Sequence, residues 1–119
     1  MDPVQVLKAG KEALEKPGGW TQGTYARDAE GKSTPPQYVG ACSFCSVGIL
    51  MFLLRDEHSE STLINQCRRY LDYAVAHTIG HKQGWTLVVF NDEHNQEEVL
   101  KMWGVAIELA LLEQRMKGI

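Results

Sequence analysis

The chain has 119 residues, 44% of them hydrophobic and 23% charged, close to ordinary globular usage. That length predicts a single domain over residues 1–119, and the composition excludes a disordered tail, a collagen-like chain and a low-complexity array. Twelve Lys and Arg against fifteen Asp and Glu leave a net charge of −3, which argues against a nucleic-acid partner because phosphate recognition draws on a basic excess.

Asp2-Pro3-Val4-Gln5 reads as a helix start, with Asp2 as cap, Pro3 in the first helical position and Gln5 closing a capping box. Val6, Leu7, Gly10, Ala13 and Leu14 then recur at helical spacing, and Pro17-Gly18-Gly19 ends the element. From Trp20 to Gln37 periodicity is weak. Asp28-Ala29-Glu30-Gly31 predicts a turn, Pro35-Pro36 an extended link, and Thr24 to Arg27 an edge strand of a small hairpin or irregular insertion. Ala41 to Leu54 is apolar almost all round, which predicts a central helix with Ser43 as its cap.

The clearest helical signal runs from Ser59 to Ile79. Leu63, Ile64, Cys67, Tyr70, Leu71, Ala74, Val75 and Thr78 form its apolar stripe, and Gly80 and Gly84 bracket its end. Trp85 to Phe90 is rich in β-formers and predicts a short strand or buried connector stopped by Asn91-Asp92. A last helix opens at Asn95 with Glu98 as its capping-box partner. Val99, Met102, Trp103, Ala106, Ile107 and Ala110 line its inner face. The expected fold is mainly α, four helices with a small β-hairpin or irregular insertion.

Met1 to Gln5 lacks the basic start and apolar run of a secretory signal. The longest apolar stretch, Val47 to Leu54 with Gly48 inside it, is closed by Arg55-Asp56-Glu57 and is too short to span a bilayer. The three cysteines, Cys42, Cys45 and Cys67, are too few for a disulfide scaffold and odd in number. They predict reduced thiols in a cytoplasm.

Five short motifs fall in a recognisable order: Trp20-Thr21-Gln22-Gly23, Ala26-Arg27-Asp28 with Gly31, Cys45-Ser46-Val47-Gly48, Asn91-Asp92, and Val99. In this the chain resembles the domain of unknown function 6197 family of small, uncharacterised bacterial and phage proteins, from Trp20 to Ala110. The resemblance implies a mostly helical single domain and no activity. The chain departs from the family pattern at Cys42, an additional thiol, and at Ile49, where the family usually has Ala.

Three chemistries compete for these residues. Cys42, Cys45, His77 and His81 supply the ligand types of a tetrahedral zinc site, but 31 residues lie between the two pairs, far from finger spacing. Cys42-x-x-Cys45 can also be a redox pair, though a thioredoxin-like site follows a strand in a βαβ unit that is not visible here. Cys45 with His77 and Asp92 would give nucleophile, base and orienter for thiol-dependent catalysis.

Each has a plainer structural counterpart. Cys45 can be a small buried residue beside Gly48, and Asn91-Asp92 can serve the orphan amides of the next helix start. The leading expectation is therefore a non-enzymatic cytoplasmic binding or accessory domain without cofactor, metal or membrane partner. Trp20, Gln22, Arg27, Asn91 and Asp92 are its candidate binding residues, and the long irregular Trp20 to Gln37 segment is its surface. Its partner is an unidentified protein or small molecule, in an assembly of unspecified size. The thiol enzyme centred on Cys45 and the structural zinc protein are the alternatives. Trp20-Gly23 and Asn91-Asp92 are expected to lie together through pairing of the β-like segments Trp20 to Arg27 and Trp85 to Phe90, because lone strands inside a helical domain leave amides unpaired.

Overall fold

Local capping chemistry sets the first and last helices. The computed structural model describes residues 1–56, 62–79 and 86–118. Helix α1 spans Pro3–Glu15, with Asp2 accepting from Gln5 N and the Gln5 side chain returning to the Asp2 amide. Helix α5 spans Gln96–Lys117 and opens on the same reciprocal pair between Asn95 and Glu98. A good cap contributes about 1 kcal/mol and, more usefully here, fixes where the helix begins. Val6, Leu7, Gly10 and Leu14 of α1 are buried, as are Val99, Met102, Trp103, Ala106 and Ala110 of α5. These faces meet closely at Gly10, where a Cβ would come within 2.6 Å of the Trp103 ring.

Helix α3, Thr62–Ile79, also packs along α5. Cys67, Leu71, Ala74 and Val75 of its stripe are buried, Tyr70 is half-buried, and Thr78 is exposed. The expected start at Ser59 and the bracketing glycines 80 and 84 lie outside the described residues.

The middle of the chain departs from expectation in three ways, each with a physical reason. Residues 87–93 are helical, not a strand. This α4, Leu87–Glu93, starts at Thr86, whose hydroxyl accepts from Val89 N, and it buries Leu87, Phe90 and Asn91. Those positions have the i, i+3, i+4 spacing of a helix face. The period is hidden in the sequence because its third member is polar. Trp85, the expected first residue of that strand, lies outside the described residues. Among the described residues the fold therefore has five helices rather than four.

The central helix is also shorter than expected. Helix α2 is Ser46–Leu53 and its cap is Cys45, not Ser43. Ser43 is occupied elsewhere: strands β1, Ala26–Arg27, and β2, Ser43–Phe44, pair antiparallel with Ala26 opposite Phe44 and Arg27 opposite Ser43. Cys42 N→Arg27 O at 2.8 Å and Cys45 N→Tyr25 O at 3.1 Å extend the pairing on either side. Finally, the Trp20 segment pairs with β2 rather than with residues 85–90: Thr21 N donates to Phe44 O and Phe44 N to Gly19 O. The fold is mainly helical, with one small antiparallel pair among the described residues. No helix among the described residues is long and apolar enough to cross a membrane.

Candidate functional site

The irregular segment after α1 is held by its own side chains. Arg27 donates from Nε to Thr21 Oγ1 at 2.8 Å, from Nη2 to Gln22 O at 3.1 Å and from Nη1 to Gly31 O at 3.2 Å. A planar guanidinium offers donors in a fixed fork, so one side chain orders two turns of backbone. Asp28 closes the second of these turns by accepting from Glu30 N and Lys32 N.

This ordered loop docks on α4. Gln22 Nε2 lies 2.7 Å from His94 O and 3.1 Å from both Asn91 O and Asp92 O, so one side-chain amide serves three carbonyls at the helix end. Such carbonyls have no partner within a helix, and a helix as short as α4 depends on tertiary support. Gly23 N donates to Asp92 Oδ1 at 3.0 Å. Trp20-Gly23 and Asn91-Asp92 therefore do lie together, through capping of a helix and not through strand pairing.

Asn91 is the node of the junction and is fully buried. Its Oδ1 accepts from Trp20 Nε1 at 3.1 Å, Ser46 N at 3.0 Å and Ser46 Oγ at 2.9 Å, while its Nδ2 donates to Thr21 O at 3.0 Å. Trp20 Nε1 and Ser46 N are donors only, which fixes the amide's orientation. Ser46 Oγ in turn accepts from Trp103 Nε1 at 3.0 Å. Among the described residues no buried side-chain nitrogen or oxygen lacks a partner, so this network joins the loop, α2, α4 and α5 without an unsatisfied group. Asn91 does serve an orphan amide at a helix start, but that of α2; Asn95 caps α5. Sequence reasoning missed Ser46, although a lone serine opening the apolar run Val47 to Leu53 is a detectable signal.

Cys45 is 2% exposed. Its Sγ accepts from Gly48 N at 3.3 Å, closing the first turn of α2. Gly48 is required by the backbone just before β1, because a Cβ there would overlap the Tyr25 carbonyl oxygen. Cys45 also lines a cavity of about 330 Å³ with Gly23, Thr24, Tyr25, Val88 and Asp92. Burial pushes its thiol above the ordinary value and the Asp92 charge adds to the rise, against the opposing amides of Gly48 and Val47. Burial, with a contribution from Asp2, pushes Cys67 up to about 12. Cys42 is exposed. At pH 7.4 iodoacetamide should therefore label one cysteine per native chain quickly, Cys42, and reach Cys45 and Cys67 only in urea, as intact mass would show. Fast labelling of Cys45 in the native chain would mark a thiolate and favour thiol catalysis.

The other described candidates, His77 and Cys42, lie apart from this cavity. His77, on α3, lines a different one with Tyr70, Tyr73 and Glu113. Cys42 lies ahead of β2 with its thiol on Gly40 O at 3.3 Å, and His81 lies outside the described residues. Among the described residues no group of three or more His, Cys, Asp and Glu is placed to hold a metal ion. His94 stacks on Phe90, with ring centroids 3.9 Å apart, and its Nδ1 is 2.9 Å from Phe90 O.

The loop, the Cys45 turn and the end of α4 thus form one interlocked layer, and the five short motifs are spread over it and the start of α5. No curated protein and no solved structure matches the chain. The profile of a family of unknown function, DUF6197, matches residues 1–109. A match over that much of the sequence makes the chain a member of the DUF6197 family.

Proposed function

We propose that the protein is a non-enzymatic binding domain, and that its ligand enters the cavity between the Gly23–Tyr25 loop and α4. The carrying observation is Asp92. Its Oδ1 is engaged by Gly23 N, its Oδ2 accepts no hydrogen bond from the described residues, and it is the charged group in an otherwise small, largely apolar lining. Trp20, Gln22, Arg27 and Asn91 shape this site from behind rather than touching the ligand, since their donors and acceptors already meet within the fold. A cavity of this size suits a compact group with an apolar body and one cationic or strongly donating head. A raised thiol pKa at Cys45 supports packing over nucleophilic attack, which needs the thiolate.

Benzamidine, benzamide and benzoate share one body and differ in head, so they test the reading. Benzamidine should bind and shift the amide signals of Gly23, Thr24 and Val88, with benzamide weaker and benzoate silent. Asp92→Asn should weaken benzamidine about tenfold, the loss of one charge-assisted contact. Equal binding of benzoate, or no saturable shift with any of the three, would remove the assignment.

A further inference from the structure

A second cavity, of about 320 Å³, lies on the far side of Tyr25, between α2 and α3. Val47, Leu50 and Leu54, all buried, make its inner wall together with Ile64 of α3. Its rim has the opposite charge to the Asp92 site: Arg55 and Arg68 line it, and among the described residues no carboxylate does. In a chain of net charge −3, a lining of two cations over an apolar floor is a local inversion.

The arginines differ in how they are held. Arg55 lies with its Cζ 4.4 Å above the Phe52 ring and donates Nη1 to Phe52 O at 2.8 Å, at the end of α2. That stacking and single bond hold the guanidinium in place and leave Nε and Nη2 without an acceptor among the described residues. Arg68 makes no hydrogen bond among the described residues, and its electrostatic partner is Asp72, one helical turn on. A guanidinium fork matches a carboxylate in two places at once, and the apolar wall behind gives a hydrocarbon tail a dry surface.

We infer that this cavity is a binding site for a monocarboxylate with an apolar tail. A cavity of about 320 Å³ suits a small ligand, and octanoate carries both the carboxylate and the hydrocarbon tail. Bare phosphate lacks the tail, and an alcohol or amine of the same length lacks the anion.

The experiment titrates the full chain with octanoate, octan-1-ol, octylamine and inorganic phosphate by calorimetry, with amide shifts to place the site. Octanoate should bind with a Kd below about 1 mM, a reasonable affinity for a ligand of that size, and move Leu50, Leu54 and Arg68 while Val88 stays still. Octanol should bind about fivefold more weakly, given the worth of a partly exposed ion pair. Arg68→Gln should weaken octanoate about fivefold and leave octanol unchanged. Met51→Trp, which fills the cavity mouth from α2, should abolish both. Arg55→Gln can also loosen the end of α2, so Arg68→Gln at unchanged melting temperature is the deciding variant. Failure of octanoate to bind, equal binding of octylamine or phosphate, or indifference to Arg68→Gln would each overturn the inference.

Discussion

Replacing Asn91 by Ala should destabilise the protein by about 3–5 kcal/mol, a large share of the stability of a domain this size. The substitution removes the acceptor shared by Trp20 Nε1, Ser46 N and Ser46 Oγ and the donor to Thr21 O. Burial excludes water from replacing them, so the cost is that of stranded donors rather than of lost bonds alone. Ser46→Ala should cost less, about 1–3 kcal/mol, because it strands chiefly Trp103 Nε1. The double variant should fall short of the summed losses by about 1 kcal/mol, as expected of groups in one network. Urea denaturation of the four proteins measures all of this. A loss under about 1 kcal/mol for Asn91→Ala would mean that water reaches the junction and the network is not a closed one.

Gly48→Ala should be comparably damaging, at about 3 kcal/mol or more. The added methyl would meet the Tyr25 carbonyl oxygen, a main-chain atom that no rotamer change can move. Relief requires α2 to part from β1, which breaks the bond from Cys45 N to Tyr25 O. Gly104 is the control: it lies inside α5, where an added Cβ finds only Lys11 Cε at 3.9 Å. Gly104→Ala should stabilise by about 0.5–1 kcal/mol, the helix-interior preference for Ala. Opposite signs for the two changes in thermal melts are the expected result. Stabilisation by Gly48→Ala as well would mean that helix propensity, not the close approach at Tyr25, governs position 48.

The two terminal helices were legible because their information is local. Asp2 with Gln5 and Asn95 with Glu98 announce their caps, and the stripes behind them alternate apolar with charged. Cys67 was legible as core for the same reason, and it is fully buried. Helix α4 was not. Val88-Val89-Phe90 has a strand-like composition, and its buried face includes Asn91, a residue that periodicity analysis counts as outward-facing. The start of α2 was misplaced because cysteine is an unusual cap and because Ser43, a usual one, is claimed by pairing with Arg27, a contact invisible to local reading. The meeting of Trp20-Gly23 with Asn91-Asp92 was legible as an outcome but not as a geometry: unpaired backbone had to find partners, and the partners proved to be side chains at a helix end.

The docking of Gln22 on the end of α4 links residues 69 to 72 positions apart. The packing of Gly10 on Trp103 spans still more of the chain, so the fold is closed by contacts between distant parts of the sequence, whose joining carries an entropic cost that grows only slowly with length. Release of the loop from α4 would bare the buried pair Asn91 and Ser46 to water, so the segment that shapes the Asp92 cavity is also the cover of the polar junction beneath it.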